Sequence, residues 1–279
     1  MLGHQLFVHL RKSHDVRVTL RLGLERYIPF GLFDNETTYY GVDLRSWDAL
    51  VPIMADCRPD AVINAVGIVK QRSEAKEAIT SLEINSLLPH RVSLVCRGAN
   101  ARLVHVSTDC VFSGRKGNYS ETDQPDAEDL YGRSKLLGEV VEPHCLTLRT
   151  SIIGPELSRR TGLLEWILSQ QGRTIKGYTK AIFSGFPTFE LARIIERILV
   201  DQPNLHGLYH VASSPINKYE LLSLIRDRLH LPITIEEDAS FVCDRSLDAS
   251  RFYRDAGYSP PVWKAMIDDM VYQMAEKAA

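Results

Sequence analysis

Short apolar segments alternate with longer helical segments along the first 150 residues of the chain. We predict strands at Val16 to Leu20, Tyr39 to Val42, Ala61 to Val66, Arg102 to Val106 and Leu146 to Leu148. The stretches between them carry apolar residues at the spacing of amphipathic helices, most clearly from Ile79 to Arg97. Apolar strands joined by crossover helices run parallel and are covered on both faces. The alternation therefore predicts an α/β fold with a doubly wound parallel sheet.

The alternation weakens after about residue 150, where Gly154 and Pro155 interrupt it. We predict that residues 1–150 form the main domain and residues 151–279 a smaller C-terminal lobe. In this lobe helices are predicted at Gly162 to Gln171, Thr188 to Leu199 and Asn217 to Leu229, and strands at Leu208 to Val211 and Ile233 to Glu236. The stretch from Gly172 to Gly185 is predicted to be irregular.

Composition and charge narrow the class of partner. The 279 residues are 44% hydrophobic and carry a formal net charge of −2, so no strong field attracts nucleic acid or an anionic membrane. No segment approaches the ~20 apolar residues of a membrane span. The five cysteines are scattered and contain no Cys-x-x-Cys pair, so neither a disulfide framework nor a metal site is predicted. We expect a cytoplasmic protein with reduced thiols and without a nucleic-acid or membrane partner.

The strongest candidate for chemistry is the pair Tyr131 and Lys135. Residues four apart on a helix share a face, so both side chains can point into one cleft. An ammonium group near a phenol favours the phenolate, and we expect Lys135 to lower the pKa of Tyr131. A tyrosine tuned in this way can exchange a proton with a substrate oxygen. The alternative is a solvated pair with no catalytic role.

Polar and small residues follow two of the predicted strands. Ser107, Thr108 and Asp109 follow the strand that ends at Val106, and the run from Asn64 to Gly67 ends the preceding one. The carboxyl ends of parallel strands are where α/β sheets bind ligands. A hydroxyl there can bind a carbonyl oxygen, and small residues let a ligand approach the backbone. Simple capping of the strand ends is the alternative.

Taken in order, Asn-Ala-x-Gly, Ser-Thr-Asp-x-Val-Phe-x-Gly and Tyr-x-x-x-Lys resemble the motifs of the extended short-chain dehydrogenase/reductase superfamily. Within it the chain is most similar to the sugar-nucleotide reductases of the dTDP-4-dehydrorhamnose reductase family. The segments Leu148 to Ser151 and Gly185 to Thr188 also resemble that family. The resemblance covers essentially the whole chain. It implies a Rossmann-like, NAD(P)-binding domain at residues 1–150 and a substrate-binding lobe at residues 151–279.

The resemblance also assigns roles. Tyr131 is expected to be the general acid, Lys135 to tune it and bind the nicotinamide ribose, and Thr108 to orient the sugar carbonyl. The residues expected to bind substrate are Thr108, Asp109, Arg149, Pro187 and Thr188. Hydride would pass from the nicotinamide to the keto carbon of a nucleotide-linked 6-deoxy sugar, which the protein must align with its donor.

The chain departs from the family at its cofactor end. The family places a strand and a Gly-x-x-Gly-x-x-Gly turn before the first helix, whose N-terminus holds a pyrophosphate. Only the last glycine is present, as Gly3 next to Leu2, and the rest would lie before Met1. We interpret this as a truncated gene model or an alternative start, an interpretation that an upstream stop codon without such a segment would contradict.

The remaining cofactor assignments follow from position. Arg21 falls at the end of the second family strand, where it suits the 2′-phosphate of NADP, whereas an acidic residue there would suit NAD. Asp43 is in the family's usual place for an adenine contact. The other residues expected near the cofactor are Asn64, Ala65, Gly67 and Ser107. The alternatives are that Arg21 is an exposed loop residue and that Asp43 caps a helix. Because of Arg21, NADP is the expected cofactor, with NAD as the alternative.

Three functions compete. The first is an NADP-preferring reductase of a nucleotide-linked 4-keto-6-deoxy sugar, and the second is an epimerase or dehydratase of the same superfamily. By the resemblance, dehydratases of this superfamily usually place acidic residues beside the catalytic threonine. Here Asp109 follows Thr108, but the next residue is Cys110 rather than a second acid, which favours the reductase. The third is a non-catalytic regulatory subunit like the beta subunit of methionine adenosyltransferase, which the absent glycines favour. A homodimer is a further expectation.

Overall fold

The computed structural model describes residues 1–69, 77–158 and 160–276. In the first half the strands are β1 (Val18–Thr19), β2 (Thr38–Tyr39), β3 (Ala61–Asn64), β4 (Arg102–Val106) and β5 (Cys145–Arg149). The helices are α1 (Leu2–Leu10), α2 (Leu50–Cys57), α3 (Ala78–Ser81), α4 (Leu88–Gly98) and α5 (Leu130–Leu137), with a π-helical segment at Leu82–Leu87 between α3 and α4.

The second half adds short strands and longer helices. Its strands are β6 (Ile152–Ile153), β7 (Thr174–Tyr178), β8 (Ala181–Phe183), β9 (Phe186–Pro187), β10 (Gly207–His210), β11 (Ile216–Asn217), β12 (Thr234–Asp238) and β13 (Cys243–Asp244). Its helices are α6 (Leu163–Leu168), α7 (Thr188–Asp201), α8 (Lys218–Leu229), α9 (Ser250–Ala256) and α10 (Trp263–Glu276).

The predicted parallel α/β sheet is confirmed. Strands β10, β5, β4 and β3 form a four-stranded sheet in that order, and each neighbouring pair is parallel. Successive side chains of a strand point to opposite faces. On β4, Val104 contributes to the core that contains α1 and α7, whereas Leu103 contributes to the core that contains α4. Both faces are therefore covered, as in a doubly wound fold.

Strands β1 and β2 form a separate parallel pair. Within the described ranges no hydrogen-bonded ladder joins this pair to β3, which is the edge of the four-stranded sheet. Three of the four residues of β3 are half-buried, whereas every residue of β5 is buried. The pattern is that of an edge strand, which keeps one row of backbone groups outside the ladder.

The prediction that Gly172 to Gly185 is irregular was wrong, because this stretch contains β7 and β8. β7 pairs in parallel with β12, and its side chains alternate between exposed and buried. The strand could not be recognised from the sequence because glycine, here Gly177, disfavours strands. Packing requires a glycine at this position, because a Cβ at Gly177 would lie 2.7 Å from the ring of Tyr219 on α8.

Helix α5 is short and ends at Leu137. Gly138 ends it, and a Cβ at Gly138 would overlap the carbonyl oxygen of Asn85 in the π-helical segment. The close approach of these two elements requires glycine. It also fixes the position of the next residue, Glu139, beside the sheet.

Candidate functional site

The carboxyl ends of the four parallel strands bring the predicted site residues to one edge of the sheet. Asn64 ends β3 opposite His105, and Val106 on β4 pairs with Leu148 on β5. Ser107 and Thr108 therefore follow β4 directly at this edge, and Arg149 ends β5. This is the edge at which open α/β sheets bind ligands.

Tyr131 is placed by the start of α5. Asp129 caps this helix by accepting a hydrogen bond from the backbone N–H of Gly132 at 2.8 Å. Gly132 packs so closely on the carbonyl of Cys110 that a Cβ would overlap that oxygen. The first turn of α5 thus lies against the turn that carries Thr108, and the side chains of Tyr131 and Thr108 are within hydrogen-bonding reach.

The effect on the tyrosine is opposite to the one expected from the sequence. Burial raises the pKa of Tyr131, the charges of Cys110 and Asp109 raise it further, and the hydrogen bond with Thr108 only partly opposes the rise. The expectation that Lys135 lowers this pKa was wrong. Burial outweighs the other effects, and a high pKa keeps the phenol protonated, which is the form that a general acid needs.

Lys135 is buried, with 4% of its surface exposed, and its Nζ donates a hydrogen bond to the carbonyl oxygen of Val106 at 2.7 Å. Burial lowers the pKa of Lys135 to about 8, and the nearby charge of Glu139 opposes that change. The ammonium group therefore lies at the end of β4, one helical turn beyond Tyr131.

The residues at the end of β3 fit a dinucleotide. Asn64 is buried, and its Oδ1 accepts a hydrogen bond from the N–H of Val66 at 3.1 Å. Its Nδ2 is buried and has no hydrogen-bond partner among the residues that the structure describes. A buried donor without a partner is costly, and a ligand oxygen would satisfy it. Gly67 leaves the backbone here without a side chain, and a Cβ at this position would be in ordinary contact with Oδ1 of Asn85 at 3.4 Å.

Of four other predicted cofactor residues, two follow the strands at this edge and two lie in the first turn of α1. Ala65 is half-buried and follows Asn64. Ser107 donates its hydroxyl to Glu139 at 2.7 Å. Leu2 packs into the core through α1, whereas Gly3 is exposed and a Cβ there would meet no atom within 4 Å. Their roles toward a cofactor stay predictions.

Arg21 and Asp43 follow β1 and β2 and are close enough to interact. Asp43 accepts hydrogen bonds from the guanidinium of Arg45, and this contact lowers the pKa of Asp43 to about 2. The charge of Arg21 adds to the same effect. Arg21 is itself exposed, so its guanidinium is accessible to an anion.

The predicted substrate residues lie in three places: the turn after β4, the start of α7 and the end of β5. Thr108 accepts a hydrogen bond from the N–H of Cys110 at 3.2 Å, so it also caps its turn, and the neighbouring Asp109 is buried with a pKa raised by burial. Pro187 and Thr188 are buried at the start of α7, where Thr188 packs against Gly154. Arg149 is buried as well and is paired with Glu139 through two hydrogen bonds of 2.8 Å.

A cavity of about 300 Å³ opens beside the turn that follows Thr108. It is lined by Cys110, Phe112, Ser113, Ala127, Glu128, Asp129 and Arg245. Arg245 donates Nε to the carbonyl of Phe112 at 2.8 Å, and Lys218 lies with its Nζ 4.3 Å from the ring centroid of Phe183. Both cations act on the carboxylate of Asp109.

Sequence reasoning missed Lys218, Arg245 and Glu139. The two cations come from α8 and from the stretch after β13, far along the chain, and no local pattern connects them with Asp109. Glu139 could have been recognised from its spacing, because it lies four residues beyond Lys135 as Lys135 lies four beyond Tyr131.

In the described part of the chain no helix is both long and apolar enough to cross a membrane. Within the same residues, no group of three or more His, Cys, Asp or Glu side chains is arranged to hold a metal ion.

Comparison with known proteins places this geometry in a family. The family model described as "RmlD substrate binding domain" matches residues 5–276. A zebrafish (Danio rerio) protein named methionine adenosyltransferase 2 subunit beta is 29% identical over 76% of this chain and 67% of its own. A dTDP-4-dehydrorhamnose reductase of Aggregatibacter actinomycetemcomitans is 27% identical over 67% of each chain.

Solved structures agree in fold. A hypothetical dTDP-4-dehydrorhamnose reductase from Sulfolobus tokodaii superposes with a TM-score of 0.76 at 26% identity and covers 95% of both chains. The Bordetella bronchiseptica enzyme WbmG, in complex with NAD and UDP, shares the fold with a TM-score of 0.80, at 17% identity, over 99% of this chain and 91% of its own. The two relatives named dTDP-4-dehydrorhamnose reductase support an oxidoreductase. The chain belongs to the RmlD substrate-binding domain family.

Proposed function

We propose that this protein is an NADP-preferring reductase of a nucleotide-linked 4-keto-6-deoxy sugar, with Tyr131 as the general acid. The observation that carries the proposal is the juxtaposition of Tyr131 and Thr108 at the end of β4, with Lys135 bound to Val106 one turn along α5. The reductase names of several relatives support the reaction class.

The chain's own residues divide the chemistry between them. Thr108 would hold the oxygen of the sugar carbonyl, and the protonated hydroxyl of Tyr131 would deliver a proton to that oxygen as it becomes an alkoxide. A bound nicotinamide cofactor supplies the hydride. Asn64 Nδ2 and Lys135 Nζ are donors at the same edge that suit the cofactor's ribose and phosphate oxygens.

The charge distribution suits the proposed ligands. Lys218 and Arg245 place positive charge beside Asp109, and Arg245 also lines the cavity, where a nucleotide sugar would bring its diphosphate. Arg21 is exposed and near Asp43, and it suits the 2′-phosphate of NADP. A cytoplasmic location and a homodimer remain predictions.

A second candidate function is a regulatory subunit. The 29% identity with a protein named methionine adenosyltransferase 2 subunit beta favours it. Tyr131, Thr108 and Lys135 together argue for catalysis instead, because a binding role alone does not require an acid beside a carbonyl-binding hydroxyl.

A label-transfer experiment tests the proposal and separates it from the alternatives. The protein is incubated with NADPH deuterated at the transferred position and with dTDP-4-keto-6-deoxy sugar, and the product is examined by NMR. A reductase places one deuterium on C4 and consumes one NADPH per sugar. An epimerase or dehydratase consumes no cofactor in net terms, and a regulatory subunit transfers no label, so either result would reject the proposal.

A further inference from the structure

The side chain of Glu139 is the centre of a buried polar network that the proposed reaction does not yet use. One carboxylate oxygen accepts a hydrogen bond from the hydroxyl of Ser107 at 2.7 Å and from Nε of Arg149 at 2.8 Å. The other accepts from Nη2 of Arg149 at 2.8 Å. The side chains of Arg149 and Glu139 are only 4% and 8% exposed, so the pair is shielded from water.

The network continues to β10. Nη1 of Arg149 lies 3.3 Å from Nε2 of His210, and Nδ1 of His210 lies 2.9 Å from the carbonyl oxygen of Tyr119. A carbonyl can only accept, so Nδ1 carries the proton and Nε2 accepts from Arg149. Burial lowers the pKa of His210 to about 4, which keeps the ring neutral and this arrangement intact at neutral pH.

At its other end the network lies beside the residue that binds Lys135. Val106 and Ser107 are consecutive at the end of β4: the carbonyl of Val106 holds Lys135, and the hydroxyl of Ser107 is held by Glu139. Lys135 and Glu139 therefore bind two consecutive residues at the end of β4, Lys135 from the last turn of α5 and Glu139 from just beyond it. The charge that acts on Lys135 is that of Glu139, which follows α5. His105 on β4 is buried, and burial lowers its pKa and keeps the ring neutral.

We propose that Glu139 is a positioning residue that fixes the Ser107 hydroxyl at the cofactor edge and supplies the counter-charge that keeps Lys135 protonated there. Arg149 donates two hydrogen bonds to Glu139 and thereby holds its carboxylate in place. The effect of Arg149 on the site is therefore exerted through Glu139. The inference rests on the proposed function, because it gives a role to the lysine of that site. A buried ammonium group loses its proton readily, and an opposite charge nearby restores the protonated form.

The direct test is the pKa of Lys135 itself, measured by NMR on protein with ¹³C-labelled lysine and assigned with Lys135→Arg. In the wild type we expect a value of about 8. Glu139→Gln keeps the shape and removes the charge, so we expect the pKa of Lys135 to fall by about one unit or more. Glu128→Gln removes an exposed carboxylate from the same part of the chain and should leave the lysine unchanged. An unchanged pKa in Glu139→Gln would overturn the proposal.

Glu139→Gln leaves Arg149 buried without its counter-charge, which can prevent folding. The double variant Glu139→Gln/Arg149→Gln removes both charges and carries the test in that case. We expect the pKa of Lys135 to fall in it as well, because Glu139 is the charge that opposes the effect of burial. A value that stays or rises would contradict the proposal.

NADPH binding provides a readout that separates the two proposals. If Glu139 positions the cofactor edge, Glu139→Gln weakens NADPH binding by about tenfold, and Glu139→Asp, which keeps the charge, restores part of it. A wild-type chain that binds no NADPH would reject the proposed function. A shift in the pKa of Lys135 in the same protein would still support the role of Glu139.

Discussion

Gly132 lies against the carbonyl oxygen of Cys110, so closely that a Cβ on residue 132 would overlap that oxygen. Through this contact the first turn of α5 packs on the turn after β4, and Tyr131 comes within reach of Thr108. Backbone packing therefore sets the distance between Tyr131, the proposed proton donor, and Thr108, which is proposed to hold the carbonyl oxygen.

Gly132→Ala should separate these elements. We expect a loss of stability of about 1–3 kcal/mol, since neither backbone can yield easily, and a lower kcat because Tyr131 moves with its helix. Urea denaturation and steady-state kinetics measure the two effects. Gly98→Ala is the control, because a Cβ there meets no atom within 4 Å. A Gly132→Ala protein of normal stability and activity would show that the contact does not position Tyr131.

Thr108→Val tests the hydroxyl beside Tyr131. The variant keeps the shape but loses the group that orients the carbonyl and accepts from the N–H of Cys110. We expect kcat to fall about 100-fold, with NADPH affinity unchanged. Thr234→Val changes an exposed strand residue in the same way and should have no effect. Normal turnover by Thr108→Val would assign this threonine to capping alone.

His210 should make the fold sensitive to acid. Its pKa is lowered to about 4, chiefly by burial, so in the pH range from about 6.5 down to 4 the unfolded chain binds a proton that the folded chain does not. Stability is therefore present above pH 6.5 and is lost as the pH falls, by about 2 kcal/mol at pH 5. His105, buried with a lowered pKa, adds to the same trend.

Urea midpoints at pH 7 and pH 5 measure this effect. In His210→Asn the amide can still donate to the carbonyl of Tyr119 but does not titrate, so we expect a lower midpoint at pH 7 and a smaller loss on going to pH 5. His206→Asn, at an exposed position, serves as the control. An equal pH dependence in wild type and His210→Asn would contradict the assignment.

Arg21→Ala tests cofactor choice. If the exposed guanidinium binds the 2′-phosphate, its removal should raise the KM for NADPH by about tenfold, the size of effect expected from one charge-assisted contact, and leave the KM for NADH unchanged. Arg26→Ala removes another exposed arginine nearby and should alter neither. Equal changes for both cofactors would show that Arg21 does not read the phosphate.

The parallel sheet and the edge where the site lies could be predicted because apolar runs such as Arg102 to Val106 coincide with real strands. The position of Tyr131 and Lys135 on one helix also followed from their spacing. The strand at 174–178 was missed because Gly177 is required by the ring of Tyr219, a contact between distant segments.

The pKa of Tyr131 and the ion pair of Arg149 could not be predicted correctly from the sequence. The pKa of Tyr131 was expected to fall, since Lys135 is its neighbour in sequence, but burial decides its direction and is a property of the folded chain. The pairing of Arg149 with Glu139 likewise depends on where α5 ends against Asn85, so a substrate contact was the natural expectation from the sequence.

Single-turnover oxidation of NADPH by wild type and Tyr131→Phe, with saturating dTDP-4-keto-6-deoxy sugar, tests the central claim most directly. The matched control is Tyr209→Phe on β10, which loses the hydrogen bond from its hydroxyl to Asp255 on α9. We predict that wild type and Tyr209→Phe oxidise one NADPH per site, whereas Tyr131→Phe binds NADPH equally well but reacts at least about 1000-fold more slowly. A Tyr131→Phe protein that oxidises NADPH at the wild-type rate would contradict the assignment of Tyr131 as the general acid.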